Sequence, residues 1–462
     1  MFRCHYKIFC LVLLVLWILD GKAKGIMTKF PSRASDTTEI RISTFDIDAT
    51  PPVGSQLAYD LMVNTWDLGL RAKGIVILGS GKPIVLCAVD WLGIANEGQD
   101  AFKAALADAV KSDPDRIAVH TLHQHDAPIC DFSAERILKS NNILPQSFDG
   151  TFQRELIQKL KIAVRNSLLV SQTVTHFSIG KAPVHKVASN RRIIGDNGKV
   201  IATRYSSCKD SLLRAEPEGI IDSLVSIIGF WNGKKPIAVL SFYACHPQSY
   251  YLTQVANPDF TGLARFYRQL EVPDAIHVHF NGAGGNVTAG KYNDGSHEQR
   301  AILADRLADG MKRAWNQSTL FPVNSNEVDW FVEKVSIKPA NGIEQIEKLM
   351  KTENSRYLTN NIPKLAWMKR TLEGQKITLA CLKIGNARLL FMPGELFVEY
   401  QLAAQSLHPE LFVSMAAYGD YGPFYIGTKE SYSQGGYEIQ VSPVTEDAES
   451  IIKTATDRLL SQ

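Results

Sequence analysis

The sequence predicts an α/β fold: mixed β-sheets flanked by helices, built into a single elaborated catalytic domain. Three observations predict it. Apolar runs of strand length, rich in β-branched and aromatic residues, alternate along the chain with stretches of helical length. Two of these runs, residues 377–384 and 388–392, are separated only by Gly385-Asn386-Ala387 and read as a hairpin, which brings antiparallel pairing into the sheets. No internal repeat, low-complexity tract or long linker interrupts the 462 residues, a length that α/β enzymes often devote to one core.

Taken in order, the first element is a targeting segment. Arg3 and Lys7 precede an apolar stretch over residues 8–19, and Gly21-Lys22-Ala23 follows, the layout of a cleavable secretory signal peptide. Residues 1–23 are therefore expected to be removed, leaving 24–462 as a secreted or periplasmic domain. The 12 apolar residues are too few to cross a bilayer comfortably, so no stable membrane insertion is expected. Strand-like runs follow at residues 74–78, 83–89, 117–122, 236–244 and 275–280. The clearest helix covers 298–315, where Leu303, Leu307, Met311 and Trp315 recur at four-residue spacing as a packing stripe. Residues 345–376, charged and weakly periodic, read as a peripheral helical excursion. The hairpin comes next, and the run after Glu395 reads as a helix.

Composition narrows the function classes. Hydrophobic content of 45% and charged content of 21% are ordinary for a globular protein. Of the formal net charge of +3, the first 23 residues contribute +2 (Arg3, Lys7 and Lys22 against Asp20), leaving +1 for the rest. That balance gives no argument for nucleic acid or an anionic membrane, and the expected partner is a small-molecule or lipid substrate. Five cysteines remain after cleavage, Cys87, Cys130, Cys208, Cys245 and Cys381, too few and too odd a set for a disulfide scaffold.

The chemistry-bearing residues sit where strands end. His123-Gln124-His125-Asp126-Ala127-Pro128 follows the run at 117–122, and Cys245-His246-Pro247 follows the run at 236–244. Imidazole is the commonest protein metal ligand, and two such clusters from separate elements point to a metal site. Glu395 follows an apolar strand that breaks at Pro393-Gly394, and Ser433-Gln434-Gly435-Gly436-Tyr437-Glu438 is expected to place an aromatic hydroxyl in a glycine-rich loop. His277 and His279 alternate on one strand face and read as a packed, hydrogen-bonded pair, with a supporting place behind the metal as the alternative. Cys245 reads as a buried thiol facing away from His246, and Asp259 as a turn residue or an orienter of a ligand.

The order of His-x-His, His-Pro, a Gly-rich Asn-x-Thr, Pro-Gly-Glu and a late Tyr-Glu resembles the catalytic domain of the neutral/alkaline, non-lysosomal ceramidases. The resemblance runs from about residue 46 to about residue 442. It includes Asp46-Ile47-Asp48-Ala49-Thr50-Pro51-Pro52, Val89-Asp90-Trp91-Leu92-Gly93 and Asn190-Arg191-Arg192. It implies one Zn2+ per chain on His123, His246, Glu395 and Tyr437, with His125 facing the scissile amide and Arg191 contacting substrate. The N–H groups of Gly284, Gly285 and Asn286 are expected to receive a developing oxyanion, because glycines let the backbone approach a ligand closely. The family's nucleophile or oxyanion serine falls on Thr288, a stiffer, β-branched alcohol. The implied activity is zinc-dependent hydrolysis of an amide by metal-activated water, with ceramide-like N-acyl sphingolipids as substrates.

Three departures matter. Thr288 replaces serine, and the family's His-Ser-Gly-Pro becomes His125-Asp126-Ala127-Pro128, which is expected to place a carboxylate in the cleft. The chain ends about 25 residues after Tyr437, so the immunoglobulin-like domain of full-length members is not expected. The alternatives are a zinc hydrolase of a polar amide, ester or glycoconjugate, and a secreted, non-catalytic metal- or ligand-binding protein on the same scaffold.

Overall fold

Three principal sheets, each with one parallel strand pair, meet around a shared core. The computed structural model describes residues 39–66, 68–352 and 354–462; the expected leader, residues 1–23, lies outside them. Edge to edge, the first sheet runs Ile117–Thr121, Ile84–Val89, Arg71–Leu78, Ile40–Asp48, Gln172–Val174. The second runs Ile276–Asn281, Lys235–Tyr243, Leu224–Asn232, His176–Pro183, Thr319–Pro322. The third runs Val328–Val335, Ile377–Ile384, Ala387–Phe391, Phe412–Ala416. In the first two sheets the opening pair is parallel, and in the third the closing pair is. All the other pairs are antiparallel.

Alternation along each strand builds the interior. Ile84, Leu86 and Ala88 of the first sheet, Ala238, Leu240 and Phe242 of the second, and Ala387, Leu389 and Phe391 of the third enter one buried cluster. The outer face of each sheet is covered by helices. Asn96–Val110 and Thr151–Ser167 pack on the first sheet, Asp259–Glu271 and Glu298–Asn316 on the second, Val398–Leu407 and Ala448–Leu460 on the third. Burial on both faces explains why these strands read as continuous apolar runs. The fold class expected from the sequence is the one observed, mixed sheets flanked by helices.

Two local expectations change. Residues 345–376 overlap two helices, Ile343–Leu349 and Ser355–Leu372, and the second is not peripheral: one face of it walls the polar cavity described below. Its weak periodicity follows, because polar residues are needed on that inward face as well as outside. Tyr437 does not sit in a loop but opens a short helix, Tyr437–Val441, while Glu395 lies in a two-residue strand, Glu395–Leu396, parallel to Tyr425–Ile426.

The carboxyl ends of the three parallel pairs are tied together. Thr121 N–H donates to Tyr418 O at 3.0 Å, joining the first sheet to the third, and Ala417 N–H donates to Asn281 O at 2.9 Å, joining the third to the second. Open α/β sheets bind ligands beyond their strand carboxyl ends. Here three such ends share one place.

Candidate metal centre

His123 lies two residues past the end of its strand and is oriented by the loop after Val89. Its N–H donates to Trp91 O at 2.9 Å and its Nδ1 meets Leu92 O at 2.7 Å, which leaves the lone pair on Nε2. The backbone adopts φ +67° here, a left-handed conformation uncommon outside glycine and concentrated at functional sites. Asp90, in the same loop, is clamped by both guanidinium nitrogens of Arg265 at 2.6 Å.

His246 follows Lys235–Tyr243, an interior strand of the second sheet, its N–H donating to Val287 O at 2.9 Å. The loop beyond is fixed by Asp259, which accepts from the Ser249 N–H at 3.1 Å and hydroxyl at 3.0 Å, so Asp259 positions a candidate ligand's loop rather than the ligand itself. Glu395 enters from the short strand that follows the third sheet's Ala387–Phe391; its Oε1 accepts from the Tyr421 hydroxyl at 3.0 Å. Its Oε2 lies 3.3 Å from His123 Nε2 and 3.7 Å from His246 Nδ1. Potential ligand atoms of His123, His125 and His246 all lie within 4.8 Å of one another.

The buried atoms at this point lack partners. His125 Nδ1, His246 Nδ1 and Glu395 Oε2 make no hydrogen bond. An unsatisfied buried polar atom costs about 1–3 kcal/mol, so three around one point are the signature of a set that a cation completes. Burial first, then repulsion from His123 and other nearby cations including Arg191, drives the His125 and His246 imidazoles well below their ordinary pKa. Both rings are neutral at pH 7, the form that binds metal. These residues fit a divalent metal site.

The cluster opens into a cavity of about 410 Å³. Tyr437 lines it, its ring under the Arg191 guanidinium at 5.5 Å and 5.9 Å from the Tyr425 ring. Burial raises the Tyr437 phenol against the pull of Arg191, so it stays protonated. Arg191 also lines the cavity, but its Nε pairs with Glu438 at 2.6 Å and its Nη2 donates to Gly285 O at 2.8 Å. Much of its hydrogen-bonding capacity is thus directed into the protein.

Other expected site residues are placed elsewhere. Gly284, Gly285 and Asn286 do not line the cavity; the Gly285 N–H donates to Leu396 O at 2.8 Å, and the Asn286 amide bonds Glu399 and the Val398 N–H, both at 2.9 Å. The glycines serve close approach: a Cβ on Gly285 would stand 2.3 Å from Glu395 O. Thr288 is buried in a two-residue pairing with Ser189–Asn190, its hydroxyl donating to Arg204 O and accepting from Gly290 N–H, both at 3.3 Å. Asp126 corrects an expectation outright. Its carboxylate is not in the cleft but is buried behind it, accepting from Leu252 N–H at 2.8 Å, the Thr253 hydroxyl at 2.8 Å and the Asn257 amide at 3.0 Å. His277 and His279 are buried outside the cluster; His279 Nδ1 lies 2.9 Å from Ser241 Oγ, while Nε2 of each ring makes no hydrogen bond. Cys245 is a buried thiol, lying just beyond the strand end at Tyr243.

Several residues of the site carried no signal in the sequence. Tyr418 stacks on His123 with ring centroids 4.6 Å apart, Tyr59 stacks on His125 at 5.9 Å, and Tyr251 meets His125 edge-on at 5.6 Å. The helix Ser355–Leu372 adds Arg356, Asn360, Asn361 and Lys364. Each is an ordinary residue in its own segment, and only the topology gathers them.

No family model matches the chain, and no curated protein does. Solved structures similar to it include the following. Neutral ceramidase from Pseudomonas aeruginosa has 14% sequence identity and a TM-score of 0.66, with 92% of this chain and 75% of that one covered. A ceramidase complexed with C2 has 13% identity and a TM-score of 0.66, with 91% and 75% covered. At these identities the likeness shows a shared fold.

Proposed function

We propose that this chain is a metal-dependent hydrolase that cleaves an amide bond, with one Zn2+ held by His123, His246 and Glu395 and with His125 beside it as proton carrier. The observation that carries the reading is the convergence of His123 Nε2 and the unpartnered His246 Nδ1 on the unpartnered Glu395 Oε2, all buried at the foot of a polar cavity. A zinc ion held there supplies a Lewis acid and a bound water of lowered pKa. His125, neutral and held between Tyr59 and Tyr251, has a free Nδ1 to accept a proton and return it to a leaving amine. Tyr437, the fourth ligand implied by the ceramidase resemblance, stands on the same cavity wall as a neutral phenol able to donate to a carbonyl oxygen.

The two structural neighbours described above are ceramidases, which makes an N-acyl lipid the substrate class to try first. The segments that carry Tyr59 and Tyr251 also expose Leu61, Val63 and Leu252, apolar surface close in the chain to those two residues that suits an acyl group. Export through the leader at residues 1–23 completes the proposal.

Two substitutions test the division of labour. His125→Ala is expected to keep its zinc and lose about 100- to 10,000-fold in turnover, the scale of general acid–base catalysis; loss of zinc would make His125 a ligand instead. Thr288→Ala removes only hydrogen bonds to backbone and is expected to cost about 1–2 kcal/mol of stability in urea unfolding, with activity changed by a few-fold at most. An acyl group found on Thr288 by mass spectrometry of enzyme quenched in mid-reaction would overturn that assignment.

A further inference from the structure

We propose that the substrate carries an anionic group, a carboxylate or a phosphate, close to the scissile amide, and that Lys364 is its partner with Arg356 guiding it in. The proposal rests on the reading of the histidine cluster as a hydrolytic metal site and narrows its substrate class.

The geometry begins with the helix Ser355–Leu372, which turns Arg356, Asn360 and Lys364 toward the cavity. Their spacing of four residues keeps them on one face, and eight residues of helix place Arg356 and Lys364 about 12 Å apart along its axis. Arg356 is exposed at the mouth, its Nη2 donating to the Tyr251 hydroxyl at 2.9 Å. Lys364 is 6% exposed, and its Nζ has a backbone carbonyl, Val441 O at 3.2 Å, for a partner. Among the described residues no carboxylate lies within ion-pair distance of either cation, whereas most buried arginines of this protein are clamped by an acid, as Arg191, Arg192 and Arg265 are. A buried ammonium without a counter-ion is costly unless something supplies one.

The rest of the lining agrees. With Arg191 already paired to Glu438, Arg356 and Lys364 face a single acidic residue of the lining, Glu395, before any divalent ion is counted. Only Phe424 and Val441 among the 18 lining residues are wholly apolar, a poor match for two buried hydrocarbon chains. Burial pulls the Lys364 ammonium down to about 8, with Glu395 opposing, so it remains mostly charged at neutral pH. An N-acyl amino acid has the required layout: an apolar acyl chain for the mouth, an amide at the metal, and a carboxylate beside the amide.

The test uses the purified, zinc-loaded chain and three substrates that share one acyl group: N-dodecanoylglycine, the neutral N-dodecanoylglycinamide, and N-dodecanoyl phosphoethanolamine. The proposal expects kcat/KM for at least one anionic substrate to exceed that for the neutral amide by about 10- to 100-fold, the scale of a charge-assisted hydrogen bond. The two anionic arms separate carboxylate from phosphate. Lys364→Met should abolish this preference by raising KM for the anion, with zinc content kept and kcat/KM for the neutral amide lowered far less than for the anion, and Lys364→Arg should restore part of it. Equal kcat/KM for all three, or an equal loss on all three in Lys364→Met, would overturn the proposal. If no amide is cleaved, equilibrium binding of the same three compounds decides: preferential binding of an anion that Lys364→Met removes supports the anion site while sinking the hydrolase reading, and equal binding sinks the anion site itself.

Discussion

Replacing His246 by alanine is expected to strip the protein of its zinc. Of the groups converging on Glu395 Oε2, His246 is the one delivered by the second sheet, so its loss leaves no imidazole from that direction. Changes behind a metal ligand already cost about 10- to 100-fold in affinity, and removal of a ligand itself should exceed that, more than about 100-fold. Titration of the apo-protein with zinc in the presence of a competing chelator measures the effect. The fold should survive, because the cavity left behind borders an open cleft and the loop remains anchored through Asp259 and Ser249. A variant that keeps full zinc at wild-type affinity would remove His246 from the ligand set.

Glu438→Gln should produce the largest loss of stability. The carboxylate is fully buried between Arg191 at 2.6 Å and Arg192 at 2.9 Å, and its removal leaves two buried guanidinium groups without a counter-charge. Breaking a buried pair from one side costs about 3–5 kcal/mol. The damage should reach the metal, because Arg191 also grips Gly285 O and the Gly285 N–H holds Leu396 O, next to Glu395. Burial alone would raise the Glu438 pKa, but Arg191 and Arg192 outweigh it and hold the carboxyl below its ordinary value. A folded-state pKa below the unfolded one means stability that is complete above the unfolded carboxylate value of about 4.3 and is lost as the pH falls through the folded value. Urea unfolding from pH 7 down to pH 3 should therefore show an acid limb in the wild type that is smaller in Glu438→Gln. A variant as stable as the wild type at pH 7 would refute the role given to this pair.

The legible parts of this molecule were those whose signal is local. Strands buried on both faces, such as Ile84–Val89 and Lys235–Tyr243, announce themselves as apolar runs, and the residues that follow them, His123, His246 and Glu395, are brought together as their positions after strands suggested. The strand His176–Pro183, with its mixed burial, gave no such run. The misread residues are short polar side chains beside the site. Asp126 and Thr288 lie in segments next to the cluster, yet each turns to satisfy backbone groups of a neighbouring loop, and sequence adjacency cannot tell that from facing the cleft. The basic face of the helix Ser355–Leu372 was hidden for the opposite reason: a polar, weakly periodic helix looks solvated until the cavity it lines is seen.

The central claim is that the cluster of His123, His246 and Glu395 holds a divalent metal required for amide hydrolysis. Elemental analysis and amide hydrolysis should be measured on the same purified sample, before chelation, after exhaustive chelation, and after addition of one equivalent of zinc. The account predicts close to one zinc per chain at the start, loss of hydrolysis with the metal, and recovery of both on addition. Hydrolysis that persists in metal-free protein, or a full complement of zinc with no hydrolysis of any N-acyl substrate tried, charged or neutral, would contradict it.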